Sequence, residues 1–454
     1  MTSLLLLIGP ALPTLQPLPV RAETSGNPTQ TVLTPVDYSS GLTNQSGSTL
    51  ILDLGDKSSI SVLGNLENHG TIYLVSSNPH TQSASISAQN IINSQGAIIT
   101  TVIPQGAIPL GTFSSLVSNL SLSLFAVNNI VNYGTISSAN NLTAVAGGSI
   151  VNMTAAGSAT AAIMQATNNL NLSASTISNS GILSAINGNV NLCNPSLYSA
   201  TLAGLQQNLA GNISSSLLQN ININNSNGLI EALKGSVNIG GAELDKNSIL
   251  SVLGGDIISQ LINVDGGAGA VQVRADSLLG TVNLSACSAQ FGAESGLLTL
   301  GQLNIAGDPT FYNSGDILIT NNINVGENLA ILAGGNITAS GAYTISTVNL
   351  GVGHNVYMVA GGNLSLQGSP LASPTLPPGN ALLPGQTVTV SGPSLTGGSI
   401  SLAGSTINTR STAGNNPGGT VTLVAYGGLG TGGISNLNIV SGGSGLSTDG
   451  AVNV

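Results

Sequence analysis

The sequence predicts an all-β chain, a parallel β-helix or solenoid of short strands joined by stereotyped turns. Three observations predict it. One turn phrase recurs: Leu66-Glu67-Asn68-His69-Gly70-Thr71-Ile72, Ile130-Val131-Asn132-Tyr133-Gly134-Thr135-Ile136, Ile177-Ser178-Asn179-Ser180-Gly181-Ile182 and Phe311-Tyr312-Asn313-Ser314-Gly315-Asp316-Ile317. A second phrase, Asn141-Leu142-Thr143-Ala144-Val145-Ala146-Gly147-Gly148, returns from Asn328 and from Asn355, and those last two copies lie 27 residues apart. The composition is that of a narrow, ring-poor interior: 41% hydrophobic, 5% charged, 3% aromatic and no Trp.

In the first phrase the flanking apolar residues are strand formers. Asn and Gly tolerate the left-handed backbone of sharp turns. The four asparagines Asn68, Asn132, Asn179 and Asn313 are therefore expected to serve the fold, through a left-handed turn or through an amide ladder between rungs. The steps from Asn141 to Asn169 and from Asn169 to Asn189 are 28 and 20 residues. Such variable steps suit coils with fixed strands and insertable turns, and do not suit helical repeats. Gly is 60 of 454 residues without a three-residue period, which excludes collagen. Low charge with high apolar content is the reverse of a disordered chain.

Along the chain, Leu4 to Ile8 followed by Val20-Arg21-Ala22 reads as a signal peptide over 1–22. Residues 23–48 read as a lead-in or cap, and 49–454 as the β-helix. At Asn194-Pro195 alternation gives way to Leu197, Leu202, Leu205, Leu209, Ile213 and Leu217. Asn194 suits an N-cap, Pro195 the first helical position and Gly211 a stop, so 195–219 is expected to be helical and to leave the wall. Residues 367–386 hold Pro370, Pro374, Pro377, Pro378 and Pro384, a loop thrown out from one turn. Thr387-Val388-Thr389-Val390 is expected to return to the rungs. The chain stops at Ala451-Val452-Asn453-Val454 with the look of mid-strand, as in a piece of a larger protein.

The formal charge is −10, from 16 acids and 6 unclustered bases, which excludes a nucleic-acid footprint. No apolar run is long enough for a transmembrane helix. Cys193 and Cys287 stand 94 residues apart, about four rungs, too far along the axis for a disulfide. They read as small core residues.

Together, the Asn-x-Gly phrase, the Asn-Leu-x-x-Val-Ala-Gly-Gly phrase and the leader resemble filamentous-haemagglutinin-type bacterial exoproteins. The likeness covers most of 50–454. It implies a right-handed parallel β-helix, secretion to the cell surface or medium, adhesion to cell-surface or extracellular glycan or protein ligands, and an outer-membrane transporter as partner. The Asn-Pro-Asn motifs of that family's secretion domain are not matched by Asn27-Pro28-Thr29, Asn78-Pro79-His80 or Asn194-Pro195-Ser196.

A carbohydrate-active enzyme, a polysaccharide lyase or hydrolase on the same scaffold, is the alternative. Its chemistry needs carboxylates meeting in one groove. Asp53 and Asp56 with Lys57 read as a solvated ion pair in a turn. Asp308 and Asp316 are close enough in sequence to meet across a bend. His69 sits in the slot that Tyr133 and Ser180 fill elsewhere, so a turn explains it. Gly442-Gly443-Ser444-Gly445 meets Asp449 two positions late for a calcium nonapeptide. Gly428, Gly430 and Gly433 match a dinucleotide fingerprint by letter, without a following helix. His69, His80 and His354 are isolated. No catalytic, cofactor-binding or metal-ligating residue is assigned, and the chain reads as a structural protein and not an enzyme.

Overall fold

The structure, a computed structural model, describes residues 30–33, 38, 40–105, 107, 119–207, 220–367, 387–430 and 432–454. The expected signal peptide over 1–22, residues 208–219 with Gly211, and the proline-rich residues 368–386 lie outside the described residues.

The chain winds into a coil with three faces, each a parallel sheet. Sheet 1 begins with Thr49–Asp53, Thr71–Val75 and Ile98–Thr100. Sheet 2 begins with Leu42–Asn44, Leu66–Asn68 and Ile91–Asn93. Sheet 3 begins with Ser59–Ser61, Ser83–Ala88 and Ser121–Ala126. Within each of these sheets, strands one turn apart pair in parallel. The coil starts before residue 49, because Gln30–Leu33 already pairs with Thr49–Asp53.

Register explains why repeat texture suffices to build this fold. Leu66, Ile91, Ile130, Ile150, Ile177 and Ile223 are Cα partners in succession. All point inward and are almost fully buried. Strands such as Ser121–Ala126 alternate half-buried and buried residues with period two, so one face feeds the core and the other faces out. Each buried Ile or Leu contributes roughly 1.5–3 kcal/mol. The core is one continuous apolar stack from Leu50 to Leu423, aliphatic except around Phe291 and Phe311, which is how a chain without Trp can fold.

Beyond residue 254 the corners tighten. Asp256–Asp265 runs through sheet 1 and into sheet 3 as one strand with a bulge. Ala270–Ala286 touches all three sheets.

The helical excursion differs from expectation in one respect. Asn194 caps it, its Oδ1 accepting from the Ser196 N–H at 2.8 Å, and Pro195 opens a 3-10 turn that leads into α1 (Ser199–Gln206). The described part does not leave the wall. Pro195 and Leu202 are buried, and the Tyr198 ring tilts against outward-facing Phe125 with centroids 6.4 Å apart. Apolar groups on a short helix gain more from covering that ring than from solvent.

Thr387–Pro393 is not a rung. It pairs antiparallel with Gly362–Gln367. This hairpin packs Leu364, Val388 and Val390 against Tyr312, Leu332 and Val359 on the outside of sheet 2. The cysteines are also not core residues. Cys193 is half-buried beside the Ser173 hydroxyl at 2.8 Å, Cys287 is exposed, and both are free. Each faces outward because its inward neighbours already fill the alternation.

Candidate functional site: asparagine ladders and capped turns

The turn asparagines form a buried ladder along one edge of the coil. Asn44 Nδ2 donates to Asn68 Oδ1 at 2.8 Å, and Asn68 Nδ2 to Asn93 Oδ1 at 2.8 Å. The chain of amides continues through Asn132, Asn152 and Asn179 to Asn225 at 2.7–2.8 Å per link. Each sits at the end of a sheet 2 strand, Asn225 one residue beyond Ile221–Asn224, and is buried. The second amide hydrogen is also used: Asn68 donates to the Ile98 carbonyl at 2.9 Å and Asn132 to that of Ile163 at 3.0 Å. Amides so fully satisfied can be buried at little cost.

The ladder, not a left-handed turn, is what these asparagines supply. None of Asn68, Asn132, Asn179 and Asn313 has a positive φ. The phrase glycines are not left-handed either. They are needed because the preceding rung passes too close: a Cβ on Gly70, Gly134 or Gly181 would stand 2.2 Å from the carbonyl oxygen of Ser48, Ala97 or Ala162. The Gly134 N–H also donates to Asn132 Oδ1 at 3.2 Å.

Asn313 does not join. Its register neighbours are Ala293 and Ala333. It donates to the carbonyls of Gly296 and Asp316 at 2.9 and 2.7 Å, while its Oδ1 is buried without a partner. Conversely, Asn44, Asn152 and Asn225 are rungs that lack the full turn phrase. The signal is the apolar-x-Asn half of the phrase, as in Leu42-Thr43-Asn44 and Ile150-Val151-Asn152, where an insertion displaces the glycine.

A second ladder lies on the outward face of sheet 3. Asn191 Nδ2 donates to Asn171 Oδ1 at 2.7 Å, Asn238 to Asn191 at 2.7 Å, Asn263 to Asn238 at 2.8 Å and Asn283 to Asn263 at 3.0 Å. The Gln302 N–H donates to Asn283 Oδ1 at 2.8 Å and so fixes which way these amides face. Their signature in the sequence is an Asn between two inward aliphatics, as in Leu170-Asn171-Leu172 and Val282-Asn283-Leu284.

The acids that sequence reasoning weighed serve turns. Asp53 Oδ1 accepts from the N–H groups of Gly55 and Ser77 at 3.1 and 2.9 Å, and Asp56 accepts from Asn78 Nδ2 at 2.8 Å. The expected ion pair with Lys57 does not form. Among the described residues the one salt bridge joins Arg274 and Glu294 at 2.6 Å. Asp308 and Asp316 stand at opposite ends of the strand Pro309–Asn313 and do not meet. Each accepts a backbone N–H from the next turn, Asn328 and Asn336, both at 2.6 Å. The relay then passes from Asn328 to the Asn355 N–H at 3.0 Å and from Asn355 to that of Thr420 at 2.8 Å. Asp449 accepts from the Gly443 N–H at 2.9 Å, and His69 Nδ1 lies 2.8 Å from the Ser94 hydroxyl.

Two carboxylates do come together, but not the expected pair. Burial, then Asp308 beside it, pushes the Glu327 carboxyl up, while His354 pulls it down. Elsewhere, Glu231 is buried on the outer side of sheet 1, where the Ser184 hydroxyl donates to it at 2.9 Å. Burial raises its pKa and that bond lowers it in part. A shallow hollow of about 450 Å³ is lined by Gly55, Asp56, Ser77, Asn78, Pro79 and His80. Among the described residues no three His, Cys, Asp or Glu side chains are placed to share a metal.

Comparison with known protein families, curated proteins and solved structures returns no match for this chain. The repeat geometry therefore carries the functional argument.

Proposed function

We propose that the chain is a secreted or cell-surface structural rod, of the filamentous-haemagglutinin-like kind, that acts in adhesion or as a surface stalk. The observation that carries this reading is the use made of the polar side chains. Turn after turn, Asn and Asp groups act as struts to the neighbouring rung. Solenoid stability is a sum of such neighbour terms, so the residues are spent on a stiff axis. From Leu42 to Asn453, at ~4.8 Å per turn, the coil would span on the order of 65 Å. Among the described residues no helix is long and apolar enough to cross a membrane.

The test is to coat beads with the purified chain and to express it in a bacterial host. Export to the surface or medium, with bead adhesion to epithelial cells above that of an unrelated β-solenoid, is the expected result. Retention inside the cell with no adhesion would overturn the proposal. The enzymatic alternative has one observation on its side, the pairing of Asp308 and Glu327 near His354. Polysaccharide cleavage by the purified chain, lost in Asp308→Asn, would replace the structural reading.

A further inference from the structure

We propose that the outward face of sheet 3 bearing Asn171, Asn191, Asn238, Asn263 and Asn283 binds an extended, uncharged polysaccharide laid along the coil axis. The inference starts from a contrast between the two ladders. An amide offers two N–H donors and an oxygen with two lone pairs. In the buried ladder the second N–H is consumed by a backbone carbonyl, as from Asn68 to Ile98. In the outer ladder the links run only from amide to amide along Asn191, Asn238, Asn263 and Asn283. All five side chains are half-exposed. Each rung of the strip therefore offers solvent one spare N–H donor.

Three further features select the ligand. The rungs repeat at ~4.8 Å, so four steps make a strip of ~19 Å. A ribbon-like, β-linked polysaccharide presents hydroxyl groups at a comparable interval, once per sugar. The strip is also nearly free of charge. In the segments 169–173, 189–193, 236–240, 261–265 and 281–285, the ionisable side chains are the Cys193 thiol and Asp265, and Asp265 Oδ1 already accepts from the Gly267 N–H at 2.9 Å. An anionic chain would find no counter-charge there, whereas neutral hydroxyls find donors and acceptors in register. Finally, the ladder bonds hold the amides in place before binding, which removes most of the side-chain ordering cost that weakens polar recognition.

The proposal names a ligand class for the adhesive reading, but its test needs neither a cell nor secretion. Purified full chain is mixed with suspensions of microcrystalline cellulose and of colloidal chitin, and depletion from the supernatant is measured. Depletion by at least one solid is expected. In Asn191→Ala/Asn238→Ala/Asn263→Ala, apparent affinity should fall by about tenfold or more. The single variant Asn238→Asp, which replaces a donor by a charge, should weaken binding in the same direction and guards against misfolding of the triple variant. Far-UV circular dichroism confirms that each variant retains the coil. Failure of the wild type to bind either solid, or wild-type affinity in folded variants, would overturn the proposal. Cell adhesion of coated beads would be untouched by that failure, so the two readings fail separately.

Discussion

Replacing Asn132 with alanine tests what holds the turns together. The side chain is fully buried. Its Nδ2 donates to Asn152 Oδ1 at 2.7 Å, and its Oδ1 accepts from Asn93 Nδ2 at 2.8 Å and from the Gly134 N–H at 3.2 Å. Truncation leaves Asn93 with its bonds to the carbonyls of Ala97 and Thr135 at 3.1 and 3.2 Å. The Gly134 N–H and Asn152 Oδ1, however, lose their only partners. An orphaned buried polar group costs ~1–3 kcal/mol, so the pair costs about 2–6 kcal/mol. Asn132→Gly should be no milder, because the position has no left-handed backbone for glycine to relieve. Asn132→Asp should be worse than alanine at neutral pH, since an anionic oxygen would face Asn152 Oδ1, and should recover as the acid protonates. Urea midpoints give the magnitudes. Hydrogen exchange at Thr135–Ser138 and Ile150–Asn152 should show the loss concentrated in adjacent rungs. A cost below about 0.5 kcal/mol for alanine, or a glycine variant clearly more stable than alanine, would refute the ladder argument.

The other predictions concern single positions. Gly134→Ala should lose more than about 2 kcal/mol by thermal melting, because its Cβ would meet the oxygens of Ala97 and Ser94 at 2.2 and 2.6 Å. Gly204→Ala, in α1 with nothing within 4 Å of a Cβ, should instead gain ~0.5–1 kcal/mol. Burial raises the Glu231 pKa in the folded state. Its stabilising contribution is therefore full below the unfolded value, about 4.3, and is lost as pH rises through the raised folded value. Wild type should accordingly lose melting temperature against Glu231→Gln between about pH 4 and neutrality, and parallel profiles would contradict this. Exposed Cys287 should react with a thiol reagent in the native state well before Cys193, which burial deactivates by raising its pKa despite the Ser173 bond. Equal rates by mass spectrometry would be inconsistent with that geometry.

The fold class was legible because it rests on register. A phrase repeated at Asn68, Asn132 and Asn179 already implies that identical residues stack, and stacking is the architecture. The cause of the phrase was less legible. Asn and Gly suit left-handed turns in general, and only coordinates show that here one is a ladder rung and the other a gap for a passing carbonyl. Asn313 carries the same letters without the function, because Ala293 and Ala333 stand on either side of it. The strand Thr387–Pro393 has the alternation of a rung, yet its partner is the strand just before the proline-rich segment. Alternation reports that one face is covered, not by what. The pairing of Asp308 with Glu327 was invisible for a similar reason: proximity across one turn of the coil depends on how many residues that turn contains.

The two amide ladders also run in opposite senses. In the buried ladder every NH₂ faces the next residue toward the C-terminus, from Asn44 to Asn225. In the outer ladder every NH₂ faces the N-terminus, from Asn283 back to Asn171. Each ladder is a string of aligned amide dipoles, in which turning one amide over would break two links and oblige its neighbours to follow. The senses are pinned by backbone N–H groups, Gly70, Gly134 and Gly181 for one string and Gln302 for the other. The strings overlap in the middle of the chain, between Asn171 and Asn225, so their positive ends converge there and their oxygen ends point outward. Unlike an α-helix, whose peptide dipoles add to a head and a tail, this rod carries side-chain dipoles that oppose each other along its length.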